Sequence, residues 1–283
     1  MRVVSFLAWL AASAHDLPYV SPECPRSARL LRAGPVKTAI ITLWIEEQPH
    51  DRLLLPRDFR ISAQARLSAF ACAVRAVTDQ PAFAALANVS PAFQRAACDA
   101  KLHVLDVSDF DTKPFWLPVT PEKALREKMW FNHTTNDPPQ ARTDGWKTRY
   151  KFLLFNLTRI AHQFVYLDLD VVLLADPMPF AKTHSARPLV SAFECGKRGY
   201  VGMHASVMLF RPDAEVFRQL FQKSKTHDYL ANTNGDQDIQ ESFWCPTIAG
   251  LPKAEKWGAC ETKARLDAPF SLRFQGPTRP LFL

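Results

Sequence analysis

The segment Phe164–Leu174, FVYLDLDVVLL, sets a short apolar run against two aspartates two positions apart. Such a run at this length reads as a buried strand, and successive side chains of a strand alternate between its faces. Asp168 and Asp170 are then expected to point the same way, close enough to share one hard divalent cation through oxygen ligands. A core strand that delivers acids at its carboxyl end is also how open α/β sheets build ligand sites.

The chain is long enough, at 283 residues with 47% hydrophobic content, for one large α/β domain or two small ones. Its net charge of +7 raises the question of nucleic acid. The basic residues are scattered, with no basic helix and no aromatic–basic stripe, so no nucleic-acid partner is expected. An anionic small ligand or an acidic partner accounts for the charge.

Residues 1–14 read as a signal peptide: Met1-Arg2 is a positive start, Val3–Ala12 an apolar run, and Ala12-Ser13-Ala14 a small-x-small cleavage pattern. That run is short for a bilayer and no later stretch is long enough, so no membrane span is expected. The expected location is the secretory pathway, in the ER or Golgi lumen, or outside the cell. There Cys24, Cys72, Cys98, Cys195, Cys245 and Cys260 become disulfide candidates, because none has the CxxC spacing of a zinc site. Six cysteines permit fifteen full pairings, and the sequence does not choose among them. Glycosylation acceptors occur at Asn88, Asn132 and Asn156, with Asn132 the best placed.

Residues 15–35, rich in proline and basic residues, read as a stem or linker, and residues 36–283 as the folded domain. Thr38–Trp44 is expected as a first buried strand, Ala63–Val77 and Pro91–Ala100 as helices, and Leu102–Val107 as a second strand. Residues 109–145 read as a surface insertion. Trp146–Ile160 carries a wide apolar helical stripe; residues 189–193 and 206–211 read as strands and Ala214–Ser224 as a helix. Gly235-Asp236-Gln237-Asp238 places acids where a helix N-terminus favours them. Strands alternating with helices argue for an α/β fold with a mostly parallel sheet.

Four segments in order, KFLLFNLT at Lys151–Thr158, YLDLDVVLLADP at Tyr166–Pro177, GDQD at Gly235–Asp238 and RFQGPTRP at Arg273–Pro280, resemble the family 8 retaining glycosyltransferases, the glycogenin-like group. The resemblance spans roughly residues 36–283 and is strongest after Lys151. It implies a GT-A type, Rossmann-like α/β/α sandwich with a mixed, mostly parallel sheet. It also implies a nucleotide-sugar donor, most simply UDP-linked, and a glycan or glycoprotein acceptor. By resemblance, Asp168 and Asp170 would hold manganese (or magnesium) against the donor diphosphate. Lys151 would stand beside the donor, as would Thr42 and Leu43 of the first strand and His204. Asp236 would hold sugar hydroxyls and Gln237 would face the anomeric carbon. Gly276 would admit the pyrophosphate backbone-close, and Arg279 would clamp phosphate.

The chain departs from the family at three places. Arg273 replaces the third metal ligand, a histidine, and a guanidinium cannot bind a metal. His204-Ala205-Ser206 stands where the family has an Asn-Ser-Gly loop before a strand, and the Asn and Asp that follow the family's first strand are missing. Two other readings follow from the same residues: a catalytically degenerate sugar-nucleotide or glycan-binding protein of this fold, and a haloacid-dehalogenase-like phosphatase using Asp168 as nucleophile.

Overall fold

The computed structural model describes residues 20–45, 63–110, 145–169, 171–195, 201–226, 229, 235–244 and 271–273. Among the called site residues, Asp170, Gly276 and Arg279 lie outside these, as do the signal segment, Asn132 and most of the 109–145 insertion. The chain divides into two compact units: Met1–Asp111 with Arg159–Thr183 and Phe270–Leu283, and Thr112–Thr158 with His184–Pro269.

The first unit is built on four parallel strands, β1 (Ala39–Ile45), β2 (Ala82–Ala87), β3 (His103–Asp106) and β4 (Phe164–Leu167). β1 lies between β2 and β4, with Ile40 opposite Ala82 on one side and Val165 on the other, and β3 flanks β2. Parallel neighbours require crossovers, and α2 (Ala63–Val77) and α3 (Pro91–Asp99) supply those between β1, β2 and β3. α3 starts cleanly because Ser90 caps it, its hydroxyl accepting from the Phe93 N–H at 3.2 Å, with Pro91 in the first turn where its missing N–H costs nothing. β2 is buried along its whole length. Beyond β4, β5 (Val171–Leu173) pairs antiparallel with β8 (Ser271–Arg273), and α6 spans Met178–Thr183.

Part of the stretch expected as a linker is built into this unit. Val20 bridges to Leu105 on β3, and Pro25–Arg32 forms α1, which stops where Gly34 adopts φ +100°. Cys24 is joined to Cys98 at the end of α3. The bridge closes a loop with a sequence separation of 74, so chain-entropy arguments give it roughly 4 kcal/mol of stabilisation. Replacing Cys24 and Cys98 together by serine is expected to lower the unfolding free energy by about that amount in urea titration. A loss under about 1 kcal/mol would show that the helix docks without it. Cys72 is exposed and unpaired, which removes it from the expected disulfide set; the side chains of Cys195, Cys245 and Cys260 lie outside the described residues.

The second unit contains the antiparallel pair β6 (Leu189–Cys195) and β7 (Val201–Phe210), with a register shift at Ser191/Ala192. It also holds α7 (Ala214–Thr226) and α8 (Asp236–Trp244). The helix expected over Trp146–Ile160 is broken into two short turns, α4 (Gly145–Thr148) and α5 (Tyr150–Leu153), followed by a 3-10 turn at Leu154–Asn156. Tyr150, Phe152, Leu153, Leu154 and Phe155 are all buried, so the segment is enclosed on every side. It does not present the single apolar stripe that keeps a surface helix regular. With both parallel and antiparallel pairings and helical crossovers, the chain is of the mixed, mostly parallel α/β class expected. Among the described residues no helix is long and apolar enough to cross a membrane.

Candidate functional site

In the first unit the strand order runs β3-β2-β1-β4, so the chain moves away from β1 in one direction through β2 and β3 and in the other to β4. Such a reversal opens a crevice at the carboxyl ends of the two diverging strands. The β1–β4 pairing ends with Ile41 opposite Tyr166, two residues before Leu43 on one strand and two before Asp168 on the other. Thr42 and Leu43 on β1, and Asp168 next after β4, follow that last pair on neighbouring strands. Thr42 is itself fully buried, its hydroxyl without a partner among the described residues, and Leu43 is half-buried. Two residues after Thr42, the Trp44 indole N–H is also buried and has no partner among the described residues.

The strand expected to deliver acids at its carboxyl end is β4, which covers the apolar run Phe164–Leu167. β4 stops at Leu167, and the Val171 N–H donates to the Asp168 carbonyl at 3.0 Å, closing a turn. Asp170, the other acid of the expected pair, lies outside the described residues. What orients Asp168 is Tyr166, fully buried on β4, whose phenol donates to Asp168 Oδ1. A tyrosine two positions before the acid, on the same strand face, was the available sequence signal. The β5–β8 pairing sets the backbone of Arg273 opposite Val171, beside this turn. Among the described residues no three His, Cys, Asp or Glu side chains converge on a point.

In the second unit the called residues Lys151 and Asp236 are brought together from distant parts of the sequence. Lys151 Nζ lies 3.8 Å from Asp236 Oδ2, with side chains 12% and 6% exposed. At an effective dielectric near 20 such a separation is worth roughly 4 kcal/mol before desolvation is subtracted. The same ammonium donates to the Ala205 carbonyl at 3.1 Å, tying α5 to β7. Asp236 opens α8, where the helix dipole favours negative charge. Its backbone N–H is capped from outside the helix by the Thr148 hydroxyl at 2.9 Å, because Gly235 before it has no side chain to offer. Gln240, one turn along α8, donates Nε2 to the same Oδ2 at 3.2 Å. Gln237 is half-buried in the first turn.

Arg149, between Thr148 and Lys151, is fully buried. Its Nε donates to Ser224 Oγ at 2.7 Å and its Nη2 to Tyr229 Oη at 3.2 Å. Burial pulls its pKa down, while Tyr229, Asp236 and Asp238 push it back up. Arginine stays charged regardless, so a permanent cation sits among the acids of the α8 N-terminus. The stretch 148–151 thus contributes a cap and two cations toward Asp236; only Lys151 was picked out from sequence.

His204 was expected in a loop preceding a strand. It lies inside β7, 9% exposed, between buried neighbours. Its Nδ1 accepts from the Ser206 N–H at 3.2 Å, and its carbonyl accepts from the Ser191 hydroxyl at 2.7 Å. The strand begins earlier because Val201 to Met203 pair with Phe193 to Cys195 of β6, giving these residues a ladder partner.

No family model matches the chain, and no curated protein sequence matches it. Among solved structures it is similar to the galactosyltransferase LgtC in complex with donor and acceptor sugar analogues, at 18% identity over 72% of this chain and 70% of that one, TM-score 0.41. It is similar to the glycosyltransferase GlyE of Streptococcus pneumoniae TIGR4, at 13% identity over 87% of this chain and 56% of that one, TM-score 0.42. It is also similar to mouse xyloside xylosyltransferase 1, at 12% identity over 75% of this chain and 83% of that one, TM-score 0.43.

Proposed function

We propose that the chain is a GT-A type glycosyltransferase that moves a sugar from a nucleotide-sugar donor, UDP-linked, to a glycan or glycoprotein acceptor with retention, in the secretory lumen or after secretion. The observation that carries this reading is the pairing of Lys151 with Asp236. Two residues singled out by sequence, far apart along the chain, form an ion pair at 3.8 Å with side chains only 12% and 6% exposed.

In this reading each cluster has its own task. Asp236 accepts hydroxyls of the donor sugar and Gln237 lines the reacting carbon. Lys151 holds Asp236 in place. Asp168, its carboxylate oriented by Tyr166, offers a hard oxygen suited to a divalent cation, and Asp170 would be the second ligand. When bound, manganese or magnesium would neutralise charge gathering on the departing diphosphate. Arg273 brings a cation that cannot titrate to the strand beside that turn, and its charge would share the same task. Gly276 and Arg279 would complete the phosphate contacts. With no protein nucleophile evident, the acceptor hydroxyl attacks on the face the diphosphate leaves, passing its proton to the departing phosphate oxygen.

The test is thermal stabilisation by UDP and a panel of UDP-sugars, with and without manganese, because a ligand that binds only the folded state raises its stability. Wild type is expected to respond to UDP with manganese and further to one sugar. Asp168→Asn is expected to lose the manganese-dependent part of UDP affinity, by at least about 10–100-fold, since it removes a ligand charge at constant size. An unchanged manganese dependence in that variant would remove Asp168 from the metal site. Hydrolysis of a simple phosphomonoester in place of any UDP-sugar response would turn the reading to the phosphatase.

A further inference from the structure

We propose that Gln240 is a positioning residue for Asp236, fixing which carboxylate oxygen is presented to the donor sugar. The proposal rests on the glycosyltransferase reading and adds a residue that the family resemblance does not supply.

Gln240 follows Asp236 by four residues on α8, so the two lie one above the other on one helix face. Its amide orientation is dictated by its neighbour: an amide oxygen against a carboxylate would repel, so the group facing Asp236 is Nε2, at 3.2 Å from Oδ2. Lys151 engages that same oxygen. The Gln240 hydrogen bond and the Lys151 charge are thus gathered on Oδ2, and among the described residues nothing hydrogen-bonds Oδ1. A carboxylate held by one oxygen has the other available, in a fixed direction, as an acceptor for hydroxyls of a sugar ring.

The rest of the Gln240 amide argues that this arrangement is retained for a reason other than stability. Gln240 is 0% exposed, and its Oε1 is buried with no partner among the described residues. A buried acceptor without a donor is costly, and a methionine or leucine of similar volume would avoid the cost. What glutamine alone adds is the N–H to Asp236 Oδ2. Its full burial also means that it acts through Asp236 and does not itself touch the ligand.

The test uses the full chain and the Gln240→Met and Gln240→Glu variants, with affinity measured for UDP and for UDP-glucose, UDP-galactose, UDP-xylose and UDP-N-acetylglucosamine. Gln240→Met is expected to bind UDP within about two-fold of wild type and to lose about ten-fold or more of the extra affinity and turnover that the preferred sugar confers. Gln240→Glu preserves shape but sets an oxygen where the N–H was, and is expected to lose at least as much; it decides the matter if the methionine variant does not fold. A packing role alone would move UDP affinity and melting temperature together and leave the sugar increment intact, which would overturn the proposal. If wild type gains nothing from any sugar over UDP, the glycosyltransferase reading itself fails and the role of Gln240 falls with it. If wild type gains and Gln240→Met keeps the whole gain, Gln240 alone is wrongly assigned.

Discussion

Asp236→Asn is expected to reduce donor turnover by about 10²–10³-fold, the usual effect of removing one well-aimed electrostatic group from a reacting centre. Affinity for UDP alone should change little, because the proposed contact is to the sugar. The substitution keeps the size of the side chain and the backbone N–H that Thr148 caps. It removes the charge that Lys151 and Arg149 are set against. Turnover and UDP affinity are measured on one preparation, so that loss of fold is seen as loss of both. Equal loss of the two, or loss of neither, takes Asp236 out of the sugar site.

Arg149→Met should have the largest effect on stability. The guanidinium is fully buried, fixed by Ser224 and Tyr229, and set near Asp236 and Asp238. Removing one partner from a buried ionic cluster leaves the other charges uncompensated, at about 3–5 kcal/mol. For a chain of this size that corresponds to a melting temperature lower by roughly 6–20 °C. Arg149→Lys keeps the charge but cannot span both Ser224 and Tyr229 with one planar fork, and is expected to fall between the two. A methionine variant that melts within about 1 °C of wild type would show that the acids are satisfied without the arginine.

Sequence legibility followed the strength of the local pattern. α2 was readable as Ala63–Val77 because alanine-rich helical spacing and good propensity agree there. β4 was readable from Phe164–Leu167, an apolar β-former run that ends in acids. β2 was not singled out: Ala82–Ala87 is AFAALA, and alanine is a poor strand former whose use here is set by burial on both faces of a parallel sheet. The turn after Asp168 and the short strand Val171–Leu173 were not singled out either, because that strand's partner, Ser271–Arg273, is about a hundred residues away along the chain. Of the candidate sites, Lys151, Asp168 and Asp236 stood out by motif. Tyr166, Thr148, Arg149 and Gln240 did not, because their part comes from which carboxylate each one meets, and that depends on tertiary packing.

The split of the first unit along the chain has a consequence for how the protein is made. By the time the ribosome has passed Asp106, β1, β2, β3 and both cysteines of the Cys24–Cys98 bridge have been synthesised, but β4 has not. The edge of β1 that will receive β4 stays open until the chain has grown to Phe164, a wait of several seconds at about 5–20 residues per second. An apolar strand edge left waiting is a template for pairing with other chains. Early closure of the Cys24–Cys98 bridge during synthesis would tie α1 to the end of α3 through that interval, a role in the nascent chain beside its stabilisation of the finished protein.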